Sequence, residues 1–198
     1  NLYRYEDNPP ELKPWLAESY TVSPDGLTYE FKLHHDAKFH DGSEVTAQDV
    51  VYSFKRVLAL GKGPSGAFRP VLKPDNVTAP DKYTVRFVLT HAYAPFLSAI
   101  PIVMVVNPRV LKAHETNNDW GAGWLGSNDA GSGAYTLDPS TYRPLERADL
   151  KQNPEHFLGW SDNPQAPKEV QVLPTRETST RVMALLKGSV DITDTYLP

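Results

Sequence analysis

Five residues in the first quarter of the chain, His34, His35, Asp36, His40 and Asp41, have the side-chain types that ligate a metal ion or move a proton. Their spacing argues against both roles. On a strand, His34 and His35 point to opposite faces, and no HExxH helix or ordered ligand triad accompanies them. His40 and Asp41 are instead expected to fix a turn. Gly131-Ser132-Gly133 has the composition of a phosphate cradle, yet it precedes a strand rather than linking a strand to a helix N-terminus, and no Gly-Lys-Ser/Thr follows. Ser132 lacks a GxSxG elbow, and no Ser, His and Asp order stands out from chance. Asp191 and Asp194 are close in sequence, but acid–base work by two carboxylates needs a geometry that spacing alone does not supply. The reading is therefore no catalytic residue, no cofactor and no metal. Trp120, Trp124, Phe157 and Trp160 lie in loop-like sequence, where aromatics more often anchor a core than carry a ligand.

The elements that must position these residues begin with residues 39–56, FHDGSEVTAQDVVYSFKR. Phe39-His40-Asp41-Gly42 ends a strand-like run at a glycine free to take positive φ. Thr46 then offers an N-cap oxygen, and Asp49, three residues on, makes a near capping box that suits the positive helix end. Val50, Phe54, Val57 and Leu58 follow at i, i+4, i+7 and i+8, one apolar stripe, while Gln48, Lys55 and Arg56 are left for solvent.

Alternation places a strand at 27–34 after the Pro24-Asp25-Gly26 turn, in a hairpin with 20–22, and another at 82–89. Pro95 opens a short helix through Ser98 and Pro108 another toward His114. The apolar run 100–106 is expected to be buried, and the segment to about Tyr20, with Pro9, Pro10 and Pro14, reads as an irregular lead-in. Residues 117–133 hold five of the twelve glycines, the strongest composition shift in the chain, and a domain boundary is placed there. Beyond it the pattern predicts strands at 134–137, 145–151 and 169–173, a helix over 176–187 and a strand starting at 190–192, so that strand, helix and strand imply a crossover. The fold class is mixed α/β.

With 198 residues, 40% of them apolar and 11% aromatic, the chain can build a core. A net charge of −4 without a basic run disfavours nucleic acid or an anionic membrane as partner. The absence of cysteine excludes disulfides and thiol chemistry. No stretch approaches the ~20 apolar residues of a membrane span. The start, Asn1-Leu2-Tyr3-Arg4, has neither an initiator Met nor a signal-peptide h-region and reads as a trimmed end.

Residues 39–56 resemble the FHDG-x-x-x-TAxDVxxS pattern of the family 5 extracellular solute-binding proteins, the peptide, nickel and oligosaccharide receptors of ABC importers. The similarity is collinear elsewhere. Trp15-Leu16-Ala17-Glu18-Ser19 with residues 25–33 resembles LAESW…DGLTYTFKLR, and residues 81–85 with 93–97 resemble D-x-YTV…PYAPFL. Gly131-Ser132-Gly133-Ala134-Tyr135 is similar to GTGPY, Asn153-Pro154-Glu155-His156-Phe157 stands where NPDYW is usual, and residues 185–192 are similar to L-x-SGEIDI. Ala134 for Pro and His156-Phe157 for Tyr-Trp are mild departures.

The resemblance implies part of a type II periplasmic-binding-protein (Venus-flytrap) fold, with residues 1–125 as its extra small α/β domain and 126–198 as an incomplete first lobe. The second lobe, with most of the site, lies outside this sequence. It implies a non-enzymatic receptor that closes on a peptide or related solute and delivers it to permease subunits, in the periplasm or outside the cell, with a lipid anchor as an option. Two sets of residues carry over as solute contacts: Phe68, in a loop approaching the ligand from the extra domain, and Asp194, Thr195 and Tyr196 after the GEIDI-like strand. The alternatives are a metal-dependent hydrolase using His34 and His40, and an interaction domain that recruits another chain through a sheet edge.

Overall fold

The computed structural model describes residues 1–193. Its centre is a four-stranded antiparallel sheet of β3 (Ala17–Val22), β4 (Thr28–Leu33), β5 (Val77–Asp81) and β6 (Thr84–Val88), in the order β3-β4-β6-β5. Alternation along β4 turns Tyr29, Phe31 and Leu33 to the buried face, and the register sets Phe31 against Val85 and Tyr29 against Phe87. Helix α1 (Ala47–Leu60) lays Val50, Val51, Phe54 and Leu58 on that face. Phe31, Phe54, Phe68, Phe87 and Phe96 are all fully buried and meet edge to face, with Phe54 and Phe87 centroids 4.7 Å apart and Phe54 and Phe68 5.4 Å apart. Each fully buried ring contributes about 1.5–3 kcal/mol to holding the helix on the sheet.

Asp49 closes the start of α1 as the sequence predicts: its carboxylate accepts from the Thr46 amide at 2.7 Å and from the Thr46 hydroxyl at 2.8 Å. Arg56 does not lie free in solvent. Its Nε donates to the Trp120 carbonyl at 2.9 Å, tying α1 to the glycine-rich segment.

The lead-in is ordered where irregularity was expected. β1 (Tyr3–Glu6) pairs with β2 (Glu11–Pro14), because Pro9 and Pro10 fall in the connection and Pro14 ends its strand opposite Tyr3. The run 100–106 is buried except at Ile102 and Met104. After a 3-10 turn at Ile100–Ile102, Val103 and Val105 face the core, while Ile102 and Met104 are 48% and 62% exposed.

Short helices follow: α2 (Ser65–Phe68), α3 (Phe96–Ala99), α4 (Pro108–Ala113) and α5 (Ala122–Leu125). A separate three-stranded antiparallel sheet runs β7 (Tyr135–Leu137), β8 (Ala148–Gln152) and β9 (Glu169–Val172), and α6 (Thr178–Leu186) comes last. α6 has no buried residue, and residues 190–192 form no strand, so the expected crossover is not present among the described residues.

Candidate functional site

The signature turn is built by Asp41. One carboxylate oxygen accepts from the Ser43 amide at 2.9 Å and the Ser43 hydroxyl at 2.6 Å, while the other accepts from Asn107 Nδ2 at 2.7 Å. Burial alone would raise the Asp41 pKa, but the Ser43 and Asn107 donors outweigh it and hold the group below its usual value. Gly42 sits at φ 82°, where a side chain would be strained. The fully buried Asn107 uses its Oδ1 to cap α4, accepting from the Arg109 amide at 3.0 Å.

His40, beside Asp41, is clamped to the glycine-rich segment. Its amide donates to Gly131 O at 2.9 Å, its Nδ1 meets Asp129 Oδ2 at 2.6 Å, and its Nε2 donates to Gly133 O at 3.0 Å. A carbonyl can only accept, and an ionised carboxylate likewise, so both bonds are donated together only by the imidazolium form. Burial pushes the His40 pKa down, but the bonds to Asp129 and Gly133 prevail and raise it. Burial likewise opposes the charge on Asp129, and His40 with the amides of Gly131 (2.8 Å) and Leu137 (3.1 Å) nevertheless holds its carboxyl low. Gly131 fits this closeness: a Cβ there would lie 3.2 Å from Asp129 Oδ1, a tight contact, and 3.4 Å from the His40 ring.

Beside the clamp opens a groove of about 400 Å³. Its walls include Trp15, Leu16, Met104, Leu125, Tyr135 and Phe157, and the chain of residues 128–133 forms one side. Apolar walls beside a run of peptide backbone can hold an extended, partly apolar group by packing and backbone hydrogen bonds. Acid–base catalysis is not available from His40, since both ring nitrogens are engaged. His34 and His35 are not assembled with it: His34 contacts Glu18 at 3.3 Å, and His35 stacks on Tyr83 at 4.0 Å. Among the described residues, no group of three His, Cys, Asp or Glu side chains could hold a metal ion.

Phe68 is placed differently from the sequence expectation. It ends α2 fully buried between Phe54 and Phe96, so in this chain it offers no surface to a solute. Asp194, Thr195 and Tyr196 lie outside the described residues. Of the loop aromatics, Trp120 packs on Tyr52, Trp124 stacks on His114, and Phe157 and Trp160 gather around His156. The His40–Asp129 pair itself is 89 residues apart in sequence, and no local spacing announces it.

Residues 11–198 match the bacterial extracellular solute-binding proteins, family 5 middle, and the chain belongs to that family, one of binding proteins rather than of enzymes. It is 38% identical over 181 residues to the probable D,D-dipeptide-binding periplasmic protein DdpA of Escherichia coli, a match covering 90% of this chain and 33% of the relative. It is 30% identical to the di/tripeptide-binding protein 2 of Pseudomonas aeruginosa, covering 93% of this chain and 37% of the relative. The chain thus spans about a third of the length of the curated relatives it matches. Its fold is that of NikZ from Campylobacter jejuni, solved with Ni(L-His), at a TM-score of 0.79 and 24% identity over 96% of this chain and 36% of that one. The oligopeptide-binding protein AppA of Bacillus subtilis, solved with a nonapeptide, gives 0.76 and 24% over 96% and 37%.

Proposed function

We propose that this chain is part of the substrate-binding component of an ABC importer that takes up di- or oligopeptides. The observation that carries the reading is the family match over residues 11–198, together with 38% identity to a relative named as a D,D-dipeptide-binding protein. The solved neighbours hold ligands as different as Ni(L-His) and a nonapeptide, so the fold leaves the solute open and the curated relatives favour peptide. In this account the fold is a type II Venus flytrap. Residues 1–125 are its extra small domain, 126–198 part of its first lobe, and a second lobe closes the cleft by hinge motion. Backbone hydrogen bonds hold the peptide while wet, roomy pockets tolerate its side chains. Closure presents both lobes to the permease, in the periplasm or outside the cell, with the receptor free or lipid-anchored.

Asp194, Thr195 and Tyr196 are assigned to the cleft face. Among the described residues we place solute contact at the groove along residues 128–133. Calorimetry on the full-length protein with di- to pentapeptides should give stoichiometric binding, weakened at least about tenfold, or ~1.4 kcal/mol, by a groove-filling Ser132→Trp substitution. Silence across all the peptides would refute the proposal.

A further inference from the structure

His156 is only 6% exposed, yet neither ring nitrogen has a hydrogen-bonding partner among the described residues. An imidazole carries at least one N–H donor in any state, so a buried ring without partners is costly. Its surroundings are aromatic: Phe157 at 4.7 Å, Trp15 at 5.4 Å and Trp160 at 6.2 Å between centroids. Trp15 lies at the entry to β3, whereas His156, Phe157 and Trp160 follow β8. The stack therefore joins the four-stranded sheet's side of the molecule to the three-stranded sheet's side, on the same seam that His40 and Asp129 clamp.

The charges facing this ring are unfavourable to a proton. From β1, the Arg4 guanidinium lies 3.4 Å above the Trp15 ring, and from the signature turn comes His40, whose bonds to Asp129 and Gly133 favour its cation. From the end of β4, His34 packs on Phe157 at 5.1 Å. The nearby carboxylates are engaged elsewhere: Glu6 with Arg4, Glu18 with His34 and Glu155 with Lys38. Neutral His156 can pack as a flat aromatic body, but its cation would sit buried among cations with no counter-ion.

We propose that His156 is a proton-sensitive latch on this seam: neutral, it completes the aromatic stack, and protonated, it leaves the stack and loosens residues 153–160 from Trp15. Burial, then Arg4 and His40, lower its pKa. The sign follows by linkage. A histidine whose folded pKa is depressed contributes stability that is complete above its unfolded value near 6.5 and is lost as pH falls through the folded value. His40, raised, has the opposite sign and holds below that value. The two make the seam tightest near neutrality, with His156 as its acid limb.

The test is an NMR titration of ring-labelled histidine in the full chain, followed together with amide exchange. The Trp160 indole N–H, which donates to Asn153 O at 2.8 Å, serves as a local reporter. His156 is expected to titrate below a free imidazole. At the same midpoint the indole signal should shift and exchange at 153–160, corrected for its intrinsic pH dependence, should rise by about tenfold per pH unit of proton exclusion. In His156→Phe the rise between pH 7 and 5 should fall below about twofold by the same scaling. A His156 midpoint at or above that of free imidazole overturns the latch, as does an unchanged exchange rise in the variant. Should the variant fail to fold, the wild-type titration and its coincidence with the indole shift decide alone.

Discussion

Replacing His40 with alanine removes the clamp between the signature turn and the glycine-rich segment, and its cost can be built up bond by bond. The Nδ1–Asp129 bond, at 2.6 Å with side chains 12% and 21% exposed, is charge-assisted and little screened, contributing about 1.5–3 kcal/mol. The Nε2 bond to Gly133 O adds about 0.5–1.5 kcal/mol. Little more follows from orphaned partners, because Asp129 keeps the Gly131 and Leu137 amides and Gly133 O keeps Asn153 Nδ2 at 3.2 Å. The sum is about 2–4.5 kcal/mol, a fall in Tm of about 4–18 °C for a chain of this size. The pH dependence has a definite sign. His40 has a raised folded pKa, so its contribution is complete below about 6.5 and lost as pH climbs through the folded value. Asp129 has a depressed one, so its contribution is complete above about 4 and lost as pH falls through the folded value. Urea unfolding of wild type and His40→Ala should therefore differ most between pH 4 and 6.5, and the gap should narrow toward pH 9 to the share of the Gly133 bond, which neutral imidazole can still donate. A difference below ~0.5 kcal/mol, or one that is constant from pH 6 to 9, would refute the reasoning.

Two further predictions come from residues whose roles the fold defines. Phe68→Ala should cost about 3–5 kcal/mol in chemical denaturation, with Phe68→Leu milder and solute affinity in the full-length protein unchanged by the latter. A loss of affinity in a stably folded Phe68→Leu protein would return Phe68 to the solute. Asn107→Asp sets a second carboxylate against Asp41, now 2.7 Å from the Asn107 amide, and should lower Tm at pH 7 by at least about 4 °C. That penalty should shrink as pH is lowered toward 4 and one carboxyl takes a proton. A penalty independent of pH would show that the lost donor, rather than the repulsion, matters.

The sequence was most legible where a period of 2 or 3.6 coincides with a burial face, as along Tyr29, Phe31 and Leu33 or Val50, Phe54 and Leu58. Proline misled in the lead-in: Pro9, Pro10 and Pro14 bracket the strands β1 and β2 without interrupting them. Residues 100–106 looked uniformly buried because composition hides the local alternation at 102–105, which the exposure of Ile102 and Met104 reveals. Phe68 sits amid glycines and a proline that suggested a loop, but a fully buried ring contributes more to the core than it could from a surface. The groove and the clamp were illegible for one reason: His40 meets Asp129, and Trp15 meets Phe157, across long sequence separations that only the packed sheets close.

In the proposed function this chain serves in capturing intact peptide without changing it. Native mass spectrometry of the full-length protein after incubation with an equimolar mixture of di- to pentapeptides tests that most directly. One intact peptide per protein is expected, with no cleavage products in the supernatant. Accumulation of hydrolysed peptide, or protein that emerges with no peptide bound, would contradict it.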